Sequence, residues 1–559
     1  MIDIDDQEND RKRYLELIIN SPDQKKIIVA GAGTGKTFTF RELLKQKNGN
    51  ALALTFINNL ADDLKKGLDG LAESRTFHGY CIKLLHRASF GGINANFHIF
   101  PKLPKIIKSD EQILFGRKSN FNEAFQCLIE DDCRIDFYIG RANFYNAVGF
   151  NDSVYRMLQY FKSSSSEPPR YEQVVIDEFQ DFNRLEVAFI EEMEKVNPIL
   201  IVGDDDQAIY NFKNASSDFI REKAKDPDYG RFELPYCSRC TEVIVDAVDD
   251  IITRAKANGN LTDRVDKKYC SYLPDKLQDS LNYPEIIHAK CSVHTKKSPY
   301  ISMCIEREIQ KIPREEIDMA NENGYPCVLI IGPGHYLQQI NGFLVKKGYK
   351  VDYGGKTNGN DLHILDGYEI LLEDRESNLG WRVILEFDKV GNMNDIIGMT
   401  YTDQVDIVEQ LPEGYGRKHE KVIDFLNHLK ENTAPIEEQN ELKKVMGLDL
   451  NEIKTRLEIK EENEDDKSQK NNSQEDDQPS IKLTTFQRCK GLSGGFVFIV
   501  GLNDGTIPKK PGSPTDNEIC QFIVALTRAR KKCYLISNKR FGGSGWLRHS
   551  TFIDWIDEF

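Results

Sequence analysis

The stretch Ile27–Phe40, IIVAGAGTGKTFTF, restricts the possible folds more than any other part of the chain. Its first four residues are apolar and read as a buried strand. The Gly- and Thr-rich run that follows can continue neither strand nor helix, and helical spacing resumes at Lys36. A strand that turns through glycines into a helix start gathers backbone N–H groups and the positive end of a helix dipole at one point, where a phosphate is stabilised. Ala30, Gly31, Ala32, Gly33, Thr34, Gly35, Lys36 and Thr37 are therefore the predicted cradle for ATP. Lys36 is placed to reach the β- and γ-phosphates and Thr37 to hold Mg²⁺. The first glycine of the usual pattern is replaced by Ala30.

Further apolar runs at 51–56, 174–177 and 199–204 also lead into turns and then helical patterns, and a second set occupies 327–332, 496–502 and 532–537. Strands alternating with helices predict parallel sheets covered on both faces. The predicted fold class is α/β, with two parallel-sheet cores. Residues 1–89 and 168–256 form the first core, interrupted by a helical insertion over 90–167 that ends in the hinge-like SSSSEPP at 163–169. Residues 280–388 and 481–559 form the second, interrupted by a small helical insertion over 389–480. The end of that insertion, about 460–480, carries eight acids and two lysines over 461–480 and no aliphatic or aromatic side chain, which predicts a disordered acidic linker.

A phosphate cradle alone fits a kinase, a GTPase or an ATPase. VVIDEFQD at 174–181 narrows the choice. Asp177 and Glu178 follow three apolar residues, at the carboxyl edge of a strand where such sites form. Asp177 is predicted to bind Mg²⁺, and Glu178 to position or deprotonate an attacking water, which a kinase does not need. The net charge of −15 excludes a protein that coats duplex DNA through its whole-surface field, but not one with a local basic groove. No apolar run approaches a membrane span of ~20 residues. The first fourteen residues lack the apolar core of a signal peptide, and twelve scattered cysteines suit a reducing compartment. A cytoplasmic location is expected.

With IVGDDDQAIYNF at 201–212, the chain resembles the UvrD/PcrA/Rep helicases of superfamily 1. LTFINNLADDL (54–64), TFHGYC (76–81), LPYCSRC (234–240), TTFQRCKGL (484–492) and IVALTRAR (523–530) match the family's remaining motifs in order. The resemblance implies two RecA-like P-loop domains with ATP hydrolysed in the cleft between them. It implies that Gln207 senses the γ-phosphate, that Arg239 and Arg528 reach it from either side, and that Gln7, Tyr236 and Gly491 approach the nucleoside. It implies strand contacts at Phe56, Asn58, His78, Tyr210, Phe212 and Thr485. The activity implied is that of a DNA helicase or translocase moving 3′ to 5′ on single-stranded DNA or at a single/double-strand junction, in repair or recombination, with a repair protein as a possible partner. A different reading is a nucleic-acid-activated ATPase subunit that licenses a partner nuclease, as in phage defence.

The chain departs from the family pattern where the nucleoside is read. Ser238 stands in place of a tyrosine, Ser493 in place of a glutamate and Gln487 in place of a histidine. Phosphate handling is expected to be intact and base discrimination relaxed. Cys237-x-x-Cys240 lacks a second C-x-x-C, so no zinc is expected. RARKKC (528–533) reads either as a patch for strand phosphates or as a solvated helix end, and 545–559 as an amphipathic terminal helix.

Overall fold

Each apolar run named above forms a strand. The computed structural model describes residues 4–557 apart from 48, 56–63, 69, 89–95, 130–131, 164–165, 355–360, 389, 391 and 458–477. The acidic stretch therefore lies almost wholly outside the described residues, as do Phe56 and Asn58. The first sheet contains β1 (Lys25–Val29), β2 (Ala51–Thr55), β3 (Glu73–Thr76), β4 (Gln173–Ile176), β5 (Ile199–Gly203) and β6 (Gly230–Phe232), in the spatial order β3-β2-β4-β5-β1-β6. All its pairings are parallel. Ile27, Ile28, Val174, Ile176, Leu200 and Ile201 are buried, as expected of strands covered on both faces.

The order β4-β5-β1 is what assembles the site. Because the three strands are adjacent and parallel, the Gly-rich loop after β1, Asp177–Glu178 after β4 and Asp204–Gln207 after β5 emerge side by side at one edge. A hydrogen bond from Ala30 N to Gly203 O (2.9 Å) continues the β1–β5 ladder to the base of the loop.

The second sheet contains β7 (Ile287–His294), β8 (Val328–Ile331), β9 (Val351–Tyr353), β10 (Ile481–Thr484), β11 (Gly494–Val500) and β12 (Ala529–Phe541), in the order β7-β12-β11-β8-β10-β9, again all parallel. Lys490 and Gly491 precede β11, and Arg528 precedes β12. Gly494 pairs with Ala529 in the ladder, and Gly494 N donates to Arg528 O (3.0 Å). The second core thus presents these residues from the amino ends of two neighbouring strands. The helix Glu242–Ala257 buries Ile244, Val248 and Ile251 in one cluster with Val497, Phe522 and Ile523 of this core.

The insertions are helical and share a core. Leu103, Ile106 and Tyr145 from the first pack in one cluster with Leu379, Ile384 and Ile396 from the segment around the second. At its centre Asp110, fully buried, accepts hydrogen bonds from Arg382 Nε (2.7 Å), Arg141 Nε (2.9 Å) and Tyr145 OH (2.6 Å).

Two sequence expectations fail here. Among the described residues of the predicted terminal helix, 545–557, there is one 3₁₀ turn, Ile553–Trp555, and no α-helix. A bridge between Asn503 and His549 holds the backbone extended before it, and Trp546 stays 70% exposed. ARKKC (529–533) of that run belongs to β12 rather than to a helix end, with Arg528 just before it, and Lys531 is buried against Glu316 and Asp279. Among the described residues no helix is long and apolar enough to cross a membrane.

Candidate active site

The edge of the first sheet and the amino ends of β11 and β12 enclose a cavity of about 350 Å³. Its floor is the predicted phosphate loop, with Ala32, Gly33, Thr34, Gly35, Lys36 and Thr37 all lining it. Gly33 adopts φ 71°, and a Cβ there would stand 2.5 Å from Arg239 Cβ and 3.1 Å from Cys237 Sγ. A Cβ on Gly31 would strike the ring of Tyr269, whose hydroxyl donates to Ala32 O (3.0 Å). The glycines therefore let the segment carrying Arg239 lie directly on the loop, where Ser238 N donates to Gly33 O (3.0 Å).

Lys36, Asp177 and Glu178 meet on one side of the cavity. Lys36 Nζ lies 3.4 Å from Glu178 Oε1, while Glu178 Oε2 accepts from Gln180 Nε2 (2.6 Å) and lies 3.3 Å from Lys490 Nζ. Glu178 has φ 55°, a left-handed conformation costing a non-glycine residue about 1–3 kcal/mol, retained because the turn aims its carboxylate at the loop. Burial works against the charge of Glu178, but Lys36 and Lys490 outweigh it and hold the carboxyl far below the usual carboxylate range. Asp177 responds the other way. Burial, then the charge of Glu178, push its carboxyl up to about 6.

Asp177 is thus a buried carboxylate, and it lines the same cavity as Thr37, which stands at the start of a helix. A hydroxyl and a carboxylate are the hard oxygen donors that Mg²⁺ prefers, so these residues fit the ion. Bound there, Mg²⁺ would neutralise phosphate charge as bonds to phosphorus rearrange.

The opposite wall is cationic. Arg528 is 2% exposed and is held by hydrogen bonds to Val524 O (2.8 Å), Leu492 O (3.2 Å), Thr527 Oγ1 (3.1 Å) and Gln207 Oε1 (3.1 Å). Burial and the neighbouring Arg239 guanidinium lower its pKa to about 10. Two guanidinium groups facing one cavity repel each other unless a polyanion lies between them, and guanidinium is the group best shaped to grip phosphate. The buried Ser238 Oγ has no hydrogen-bond partner and also lines the cavity.

Gln207 spans the two walls. Its Nε2 donates to Asp204 Oδ2 (2.6 Å) and its Oε1 accepts from Arg528. Asp204 is in turn held by Lys267 Nζ (2.8 Å), which also pairs with Asp205 (2.5 Å) and Asp206 (2.7 Å). Protein partners on both sides therefore fix the orientation of the amide.

Of the other predicted site residues, Gly491 lines the cavity. Gln7 and Tyr236 are not among its lining residues. Gln7 is buried with Oε1 accepting from Leu273 N (2.9 Å) and Nε2 donating to Ser271 O (3.4 Å), so its amide caps the helix Leu273–Asn282. Tyr236 OH donates to Asp10 (2.8 Å), and its ring packs against Tyr14 and Tyr272.

The residues predicted to meet a strand divide into two groups. Tyr210 OH donates to Gln487 O (3.2 Å), so this ring bridges the two cores near Thr485. Phe212 lies 5.8 Å from it and is 68% exposed, which leaves a ring available for stacking. His78 is set deeper, with Nε2 3.4 Å from Glu186 Oε1 and its ring against Phe77 and Phe150. Burial lowers His78 to about 4 and raises Glu186 to about 8, so at neutral pH the two meet uncharged instead of as an ion pair.

Sequence reasoning missed Lys490, Arg530 and Lys267. Lys490 and Arg530 line the cavity, and both stood inside quoted motifs; nothing local distinguished them from solvated bases.

The family model for the UvrD/REP helicase N-terminal domain matches residues 13–132 and 135–228, the first core with its insertion. A probable DNA helicase II homolog of Mycoplasma capricolum subsp. capricolum is 24% identical over an alignment covering 94% of this chain and 84% of that protein. The ATP-dependent DNA helicase UvrD1 of Mycobacterium tuberculosis is 27% identical over 41% of this chain and 37% of its own length. The ATP-dependent DNA helicase PcrA of Staphylococcus aureus is 25% identical over 40% and 37%. The last two matches thus span little more than a third of those relatives. A phosphate loop sharing one cavity with two arginines, an ordered motif series and a family-model match through the first core lead to one conclusion: residues 13–228 carry a UvrD/REP-type helicase N-terminal domain, and the chain as a whole is similar to the UvrD/PcrA-like helicases.

Proposed function

We propose that the protein is an ATP-dependent DNA helicase or translocase that hydrolyses ATP with Mg²⁺ between two RecA-like cores and steps along single-stranded DNA. The observation that carries this reading is Arg528. A guanidinium supplied by the second core shares one cavity with Lys36 and Glu178 of the first and is bonded to Gln207. Lys36 and the loop N–H groups bind the phosphates, Glu178 orients and deprotonates the water, and Arg239 and Arg528 stabilise the charge that develops on the γ-phosphoryl oxygens. An arginine in this role contributes about 10³–10⁵ in rate. Because the groups come from both cores, the competent arrangement requires the cleft to be closed. Closure with ATP and reopening after hydrolysis would shift the strand-facing rings of the first core, Tyr210 and Phe212, relative to Thr485 of the second.

A 3′-to-5′ direction and work in repair or recombination are carried over from the resemblance, and the cytoplasmic location and the core and insertion boundaries from the sequence patterns given above. The test is ATP hydrolysis with and without single-stranded DNA, RNA and duplex, alongside Arg528→Ala and Glu178→Gln. The expected result is strong stimulation by single-stranded DNA that both variants abolish. Equal turnover without nucleic acid would count against a motor. Partial duplexes with a 3′ or a 5′ tail then test direction, with unwinding expected only from the 3′ tail.

A further inference from the structure

Lys490 is carried by the second core, yet all its polar partners belong to the first. Its ammonium lies 2.6 Å from Asp181 Oδ2 and 3.3 Å from Glu178 Oε2, and donates to Gln207 O (2.8 Å). The ring of Tyr210 covers it at 5.6 Å, and the side chain is 1% exposed. A buried ammonium with two carboxylates and a carbonyl around it is fully compensated, so the position is a built one. It also divides the carboxylate of Glu178. Lys36 approaches Oε1, whereas Lys490 and Gln180 hold Oε2.

That division has a consequence for turnover. When ATP enters, Lys36 is drawn to the phosphates. Glu178 then keeps its contacts on Oε2, and Oε1 becomes available to the attacking water. Without Lys490, Glu178 would lose its remaining cationic anchor and be free to swing toward Lys36 or away from the water.

We infer that Lys490 is a positioning residue for the Glu178 carboxylate, delivered by the second core so that the water-activating group is correctly aimed only when the cleft is closed. This deepens the proposed hydrolytic reading and rests on it. Asp181 anchors the ammonium. The Gln207 carbonyl ties the same lysine to the residue that contacts Arg528, so the base and the arginine are set by one docking event.

The test compares wild type with Lys490→Met, Lys490→Arg and the double variant Lys490→Met/Asp181→Asn. The double variant removes both buried charges together, so it folds even if Lys490→Met, which strands Asp181, does not. Steady-state ATP hydrolysis with saturating single-stranded DNA is measured together with binding of a fluorescent ATP analogue. A displaced reacting group costs ~10²-fold in rate, so kcat should fall by about that factor in the methionine variants. KM and analogue affinity should stay within about threefold, the pattern of an interaction needed only in the transition state. Lys490→Arg, which keeps charge and donors, should recover most of the loss. A double variant turning over at the wild-type rate, or a loss confined to KM, would show the lysine to be structural and overturn the inference. If wild type itself shows no DNA-stimulated hydrolysis, the motor reading falls and takes this inference with it; an active wild type with equally active variants removes the inference alone.

Discussion

Replacing Asp110 with alanine removes one carboxylate and strands two cations. Arg382 and Asp110 are 0% exposed and Arg141 is 2% exposed, so water cannot restore the lost charge. The two arginines do not lose equally. Arg382 keeps Glu386 at 2.9 Å, whereas Arg141 keeps only the neutral Tyr145 OH (2.6 Å) and Thr400 Oγ1 (3.2 Å). Breaking a buried pair by removing one partner costs about 3–5 kcal/mol, and here most of that falls on Arg141. Asp110 and Arg141 lie on Leu103–Phe115 and Cys133–Phe144, while Arg382 and Thr400 lie on Asn378–Phe387 and Met393–Thr402, so the cost is local to the joint between the first insertion and the helices that follow β9. The suitable assay is native-state hydrogen exchange, because a chain with several cores has no single unfolding free energy. Amides of those four helices that open together should exchange about 10²- to 4 × 10³-fold faster in Asp110→Ala, at 1.4 kcal/mol per factor of ten, with β1, β4 and β11 unchanged. A triple apolar replacement, Asp110→Leu with Arg141→Met and Arg382→Met, should recover most of the protection. Exchange at wild-type rates in Asp110→Ala, or equal loss in both sheets, would refute the view that this carboxylate holds the insertions together.

Three further outcomes are expected. Ser238 and Ser493 replace larger family residues, and Ser493 Oγ is already taken by Arg530 Nε (3.0 Å), so base reading should be relaxed. Hydrolysis of GTP should lie within about a hundredfold of ATP, and a larger preference, above ~2.7 kcal/mol, would contradict this. Phe212→Ala should weaken single-stranded DNA binding by about 1–3 kcal/mol in a fluorescence titration while leaving DNA-free ATP binding intact, because the ring is exposed for stacking. Burial raises Glu186 to about 8, so between the ordinary carboxylate range and that value the folded state holds a proton the unfolded state has lost. Wild-type stability should therefore fall with rising pH by up to ~1.4 kcal/mol per unit relative to Glu186→Gln, until pH passes about 8. Gln still offers a side-chain oxygen to Asn183 N, so denaturant midpoints of the two proteins that stay parallel across this window would contradict the shift.

What could be read from the chain was what is locally encoded. The apolar runs became strands because both faces of a parallel sheet are buried, and the loop at 30–37 was legible because glycine is required where Arg239 and Tyr269 press against it. The adjacency of β4, β5 and β1 was not legible, since strand order is a property of the sheet and not of any segment. Neither were the pairings that cross much of the chain: the Gln7 amide meets the helix start at Leu273, which only the fold brings near. Charge shows the limit most clearly. Asp204, Asp205 and Asp206 form the one cluster among the described residues with metal-like spacing, and in sequence they resemble a site more than Arg528 does. The fold reverses that impression. Lys267, Arg264 and Arg221 pair with the three acids, leaving them as a rigid mount for Gln207. Arg239 and Arg528 instead lie close together on the wall of the cavity, where the Arg239 guanidinium opposes the charge of Arg528. A functional site in a charged protein is found where the fold leaves charge uncompensated, and here the uncompensated charge is positive and opposite a phosphate loop.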